Sequence, residues 1–162
     1  MHEDIEEWLL GLRLNSSHLC ELVREVRGVT RDRAGRWYWQ SIYEYRQDHF
    51  IISLIPWPGL THASRTIGWT SVGREDGERY WMLYDLRVPM PQRQRGIGTT
   101  LVRAGIALAR RRGAQELRGV VTASDAQKNP FLPEWYDRLG FTVSPAQGAL
   151  VAQIGMDLTH PS

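Results

Sequence analysis

Cysteine and lysine are nearly absent from these 162 residues, with one of each. Cys20 alone can form no intrachain disulfide, and without a cysteine pair the zinc modules built on paired thiolates are excluded. His2, His18, His49, His62 and His160 lie scattered, with no His-Glu-x-x-His pattern, so no metal site is expected and each reads as a surface or packing residue. No Gly-x-Ser-x-Gly elbow is present to present a serine nucleophile. No apolar run approaches the roughly 18 residues of a membrane helix. The opening Met-His-Glu-Asp-Ile-Glu-Glu lacks the basic start and apolar centre of a signal peptide, so a cytoplasmic protein away from membranes is expected.

Excess charge is missing too. The net charge is +2 despite a pI near 8.9, which demands no nucleic-acid partner. All but Lys128 of the 20 basic residues are arginine. Arg110, Arg111 and Arg112 suit the C-terminal end of a helix, where cations are favourable, better than a nucleic-acid patch. The 42% hydrophobic content and the length are those of one globular domain.

The informative stretch runs from Leu86 to Leu101. Tyr84, Leu86 and Val88 alternate as one face of a strand that Pro89 and Pro91 stop. Leu101, Val102, Gly105, Ile106, Leu108 and Ala109 fall on one helical face. Between them lies a basic glycine turn feeding a helix N-terminus, where unpaired amides and about half a positive charge stabilise an anion. Gly96 and Gly98 permit close backbone approach, and Arg93 and Arg95 add cationic donors, so the turn reads as a pyrophosphate seat. A P-loop is excluded because no Gly-Lys-Ser/Thr follows, and a Rossmann turn because Leu101 stands at the third glycine position.

Arg93-x-x-Gly96-x-Gly98 resembles the Gln/Arg-x-x-Gly-x-Gly/Ala signature of the GNAT superfamily, the CoA-dependent N-acyltransferases. Asn129, Tyr136, Leu139, Gly140 and Phe141 fall on the positions of that family's second signature. Two departures stand beside the match: Leu132 where members commonly carry alanine, and Trp135 where an aliphatic residue is common. Asn129-Pro130 reads as a turn and Pro133 as the first helical residue.

The resemblance covers nearly the whole chain and implies one GNAT-like α/β domain over residues 1–162. The expected architecture is a mixed central sheet of about six to seven strands flanked by helices, with a helical N-terminus. In detail, one helix carries Ile5, Trp8, Leu9 and Leu12; a second follows Asn15-Ser16-Ser17 and carries Leu19, Leu22, Val23 and Val26 up to Gly28; a third spans 33–47. Strands are expected at 49–57, 66–72, 79–88, 117–122, 141–143 and 150–158, with a long helix ending near Gly113 and a helix around Tyr136.

By the same resemblance the donor is acetyl-CoA. Leu86, Arg87 and Val88 would meet its pantetheine arm, and Arg93, Gln94, Arg95, Gly96, Ile97, Gly98 and Thr99 its pyrophosphate, with Arg93 or Arg95 as the reach to the 3′-phosphate. Tyr136 is the candidate acid for the departing thiolate, its alternative being packing beside Trp135 and Phe141; Asn129 either bonds pantetheine or simply makes a turn. Asp85 is the candidate base, although its side chain alternates away from Leu86 and Val88; Glu44, Asp48 and Glu78 are alternatives, as is a purely solvated role for all four. Trp37, Trp39, Trp57 and Trp69 fall where the family shapes its acceptor cleft, or else form an indole-rich core. The implied partners are acetyl-CoA and an unidentified amine, with a homodimer left open. A catalytically degenerate GNAT-fold interaction module is the alternative.

Overall fold

The computed structural model describes residues 23–56, 66–75, 77–146, 148 and 150–159, with the side chains of 23–29 left aside. The helix expected over Ile5 to Leu12 lies outside these residues. The described strands are β1 (Val23–Arg31), β2 (Trp37–Arg46), β3 (His49–Pro56), β4 (Gly68–Arg74), β5 (Tyr80–Arg87), β6 (Glu116–Thr122), β7 (Thr142–Pro145) and β8 (Leu150–Asp157). The described helices are α1 (Ile97–Arg111), α2 (Ala123–Lys128) and α3 (Leu132–Arg138), with a 3₁₀ turn at Met90–Gln92. The strands hydrogen-bond in the order β1-β2-β3-β4-β5-β6-β8-β7, a mixed sheet of eight strands where six to seven were expected.

Two helical expectations are corrected here. Residues 23–28 belong to strand β1, and the stretch 33–47 folds as a turn and strand β2. The aromatic residues of β2 sit at spacings that satisfy either periodicity, but Trp37, Trp39, Tyr43 and Tyr45 also share one face of a strand, and aromatic residues fit a pleated surface best. β2 then pairs antiparallel with both neighbours: Thr30 opposes Tyr38 on one side, and Ile42 opposes Ile52 on the other.

The chain divides into two compact units, residues 1–72 with 85–105, and residues 73–84 with 106–162. In the first, β3 is buried along nearly its whole length, with Ile52 and Leu54 almost fully enclosed. Ile97, Leu101 and Val102 on the first half of α1 are likewise buried. A Cβ on Gly68 would stand 3.0 Å from Ile97 Cγ2, 3.2 Å from Leu101 Cδ1 and 3.1 Å from the Arg87 carbonyl. The absent side chain is therefore what brings the start of the helix, β4 and the end of β5 together.

In the second unit β5 and β6 run parallel, from the pair Tyr80/Glu116 to the pair Leu83/Gly119. β8 pairs antiparallel with both β6 and β7. Trp81, Leu83, Leu108, Leu117, Val121, Phe141 and Ile154 are buried here, each worth roughly 1.5–3 kcal/mol against exposure for a residue of Leu or Phe size. α1 stops as expected at Gly113, whose φ of 77° permits the closing bond from the Ala114 amide to the Ala109 carbonyl at 3.0 Å. α2 was not anticipated from the sequence. It opens on a reciprocal cap in which the Thr122 hydroxyl receives the Asp125 amide and the Asp125 carboxylate receives the Thr122 amide.

Candidate functional site

The glycine turn grows out of the local chain chemistry. Pro89 and Pro91 remove two amides from β-pairing, and the chain coils once: the Gln92 amide bonds the Pro89 carbonyl at 2.8 Å and the Arg93 amide that of Met90 at 3.2 Å. Gln94 (φ 62°) and Gly96 (φ 83°) then take left-handed conformations on either side of Arg95. Alternating backbone of this kind turns successive N–H groups toward one concavity. Among the described residues, no backbone carbonyl receives the amides of Gln94, Arg95, Gly96, Ile97, Gly98 or Thr99; intrahelical pairing resumes with Thr100, which donates to Gly96 at 2.9 Å.

Arg93 and Arg95 also brace this loop. Arg93 Nε donates to the Val88 carbonyl at 3.1 Å, and Arg95 Nη1 donates to the Gln92 side-chain oxygen. A guanidinium has five donors, so both keep hydrogens for an anion. Leu86 and Val88 are half-buried and Arg87 is exposed.

A residue group unread in the sequence completes the first unit's site. The β1–β2 turn lies on the glycine turn: the Arg33 amide donates to the Arg95 carbonyl at 3.1 Å. Asp32 holds the turn, accepting from the Ala34 and Arg36 amides at 2.9 Å each and from the Tyr38 hydroxyl at 2.8 Å. Burial pulls the Asp32 carboxyl up, but the hydrogen bonds from Arg36, Tyr38 and Ala34 outweigh it and hold the group below its ordinary value. Asp32 and Gly35 are the sequence signal for this hairpin, a turn acid followed by a glycine that takes positive φ.

Asp85 is exposed, with an oxygen 3.7 Å from Arg87, two residues along the same strand face. Its carbonyl accepts the Thr70 hydroxyl at 2.6 Å. Tyr45 lies within its field: burial chiefly, and the Asp85 charge in addition, push that phenol up. Glu44 receives the Asp48 amide at 3.0 Å and so caps the β2–β3 turn, while Glu78 is exposed in the β4–β5 turn. Trp37 is exposed beneath the Arg31 guanidinium, Trp39 and Trp69 are half-buried, and Trp57 lies outside the described residues.

Tyr136 and Asn129 belong to the second unit. Tyr136, on α3, is 6% exposed, with edge-on rings at 4.8 Å (Trp135) and 5.4 Å (Phe141). Burial, helped by the Asp125 charge, pushes its phenol far above the ordinary tyrosine value. Asn129 caps the end of α2, donating to Asp125 at 2.9 Å and accepting the Leu132 amide at 3.1 Å, with its side chain exposed. α3 begins at Leu132, one residue before the expected Pro133.

The family model described as Acetyltransferase (GNAT) family matches residues 17–141. The chain belongs to this GNAT acetyltransferase family. Solved structures agree on the fold of this GNAT protein. The PaiA N-acetyltransferase from Thermoplasma acidophilum, in complex with coenzyme A, is similar at 17% identity and TM-score 0.53, over 68% of this chain and 61% of its own. Nourseothricin acetyltransferase is similar at 21% identity and TM-score 0.54, over 82% and 84%. A cAMP-binding acyltransferase from Mycobacterium smegmatis is similar at 18% identity and TM-score 0.62, over 91% of this chain and 52% of its own. No curated protein sequence matches significantly. Among the described residues of the GNAT chain, no cluster of metal-ligating side chains occurs and no helix is long and apolar enough to cross a membrane.

Proposed function

We propose that this chain is a single-domain cytoplasmic N-acetyltransferase that moves an acetyl group from acetyl-CoA to an amine by direct attack on the thioester. The observation that carries the reading is the turn from Arg93 to Thr99: unpaired amides, two left-handed residues and flanking arginines at the start of a helix. That is a pyrophosphate's chemistry, six donors and fixed positive charge around a compact dianion. Leu86, Arg87 and Val88 follow the last β5–β6 pair, Leu83/Gly119, which supports their backbone as the pantetheine contact. Asn129 is assigned to the same arm.

The reaction has a proton to lose and a thiolate to quench. An amine of pKa about 10.4 is almost wholly protonated at neutral pH, so freeing it costs about 4 kcal/mol. Asp85, exposed and acceptor-only when ionised, takes that proton directly or through water. The nitrogen then bonds the acetyl carbon, the carbon–sulfur bond breaks with its electron pair on sulfur, Tyr136 gives its proton to the thiolate, and the proton the nitrogen sheds in becoming an amide passes through water to restore the phenol. No residue is acylated in this scheme.

Calorimetric titration with acetyl-CoA, CoA and ATP tests the reading. Micromolar binding of the first two but not of ATP is the expected result, followed by thiol release in a screen of amines. Absence of CoA binding would overturn it and favour the interaction-module alternative; binding with no turnover of any amine would leave a donor site without a transferase.

A further inference from the structure

Two arginines of the glycine turn spend donors on the loop itself, Arg93 on the Val88 carbonyl and Arg95 on the Gln92 side chain. Arg33, from the β1–β2 turn, is exposed, and none of the side-chain hydrogen bonds or ion pairs among the described residues is its own. Its stem lies along Gly96, with Cγ 3.3 Å and Nε 3.6 Å from the point a Cβ on that glycine would occupy. Its amide is tied to the Arg95 carbonyl at 3.1 Å, so the backbone that carries the side chain is anchored to the turn itself.

Asp32, its neighbour in sequence, is held by other donors. Both oxygens of Asp32 are committed, one to the Ala34 and Arg36 amides and the other to the Tyr38 hydroxyl. Arg31 is turned elsewhere, its Nε on the Gly35 carbonyl at 3.3 Å and its guanidinium 4.7 Å from the Trp37 ring centre. An exposed guanidinium whose stem lies along a row of unpaired amides is suited to an anion shared with those amides.

We propose that Arg33 is a phosphate ligand of the donor site, so that the β1–β2 turn forms a second wall over the Arg93–Thr99 turn and clamps the nucleotide end of CoA. This rests on the donor-site reading above. A guanidinium can serve either the pyrophosphate or the 3′-phosphate, and the ligand used in the test separates the two.

The test titrates the full chain and its Arg33→Ala, Arg33→Gln and Arg33→Lys variants with CoA and with 3′-dephospho-CoA by calorimetry, after a melting curve on each. Loss of a charged hydrogen bond predicts roughly tenfold or greater weakening of CoA by Arg33→Ala and Arg33→Gln, with Arg33→Lys between them and the parent. If the partner is the 3′-phosphate, the parent prefers CoA to dephospho-CoA and the Ala and Gln variants lose that preference. If it is the pyrophosphate, both ligands weaken by the same factor. Unchanged CoA affinity in Arg33→Gln, which keeps the stem over Gly96, would overturn the proposal even if Arg33→Ala were unstable. A parent chain that binds neither ligand would overturn the donor-site reading, and this proposal with it.

Discussion

The Tyr38 hydroxyl donates to Asp32 Oδ2 at 2.8 Å, joining a strand residue that is 4% exposed to the turn that presents Arg33. Asp32→Ala strands that buried phenol and two backbone amides at once, so a loss of about 2–3 kcal/mol is expected, against about 1 kcal/mol for Tyr38→Phe. Urea unfolding at pH 7 checks the order. If both variants match the parent, the turn is not held by this carboxylate.

The same group sets an acid dependence. Hydrogen bonds depress the folded Asp32 pKa below its ordinary value near 3.8, so its contribution is fully present above that value and is lost as pH falls through the folded one. Parent stability should therefore fall more steeply below about pH 4 than that of Asp32→Asn. Melting curves from pH 7 down to pH 3 read the difference; parallel curves would remove the assignment.

The glycine turn was legible in the sequence because everything that makes it is local: prolines to stop a strand, glycines for left-handed backbone, and a helical face beginning at Leu101. The hairpin that carries Asp32 and Arg33 was not, since the residues of β2 satisfy helical and strand spacing alike and only pairing with β1 and β3 decides between them. α2 escaped for the opposite reason. It buries no side chain, so no periodicity marks its six residues, and the Thr122/Asp125 cap was its single trace. Tyr136 was singled out by motif, while the burial that raises its phenol, with the Asp125 charge adding to it, exists only in the folded chain.

Gly68→Ala is expected to destabilise by about 1–3 kcal/mol, because the new methyl meets the Arg87 carbonyl at 3.1 Å and main chain cannot rotate aside. Since Ile97 and Leu101 are its other neighbours, relief by moving α1 would displace the amides of the glycine turn, and on the proposed function CoA binding should weaken as well. Lost stability with unaltered CoA affinity would place the relief elsewhere.

Gly96→Ala is a different case. Its φ of 83° costs a side chain roughly 1–2 kcal/mol, and the methyl presses on the Arg33 stem, where the sequence alone placed phosphates. CoA affinity should fall along with stability, and the combination with Arg33→Gln should lose less than the two single losses added, because the pair share one contact. Strict additivity by calorimetry would argue against that coupling.

Tyr136→Phe separates packing from chemistry. The ring keeps its edge-on contacts with Trp135 and Phe141 and loses only the hydroxyl, so the fold and the CoA affinity should stand while kcat falls by about 10²–10⁴, the usual worth of a placed acid. Burial raises the folded phenol's pKa, so its stabilising contribution is fully present below the unfolded value near 10 and is lost as pH rises beyond it, when unfolded chains ionise first. Alkaline melting curves should thus fall more steeply for the parent than for the variant, and no loss of rate below about pH 10 should trace to this hydroxyl. With an amine that turns over, an unchanged kcat at saturating substrates would leave Tyr136 a core residue and send the search for the acid elsewhere; a large loss with unaltered CoA affinity would fix the proton on its oxygen.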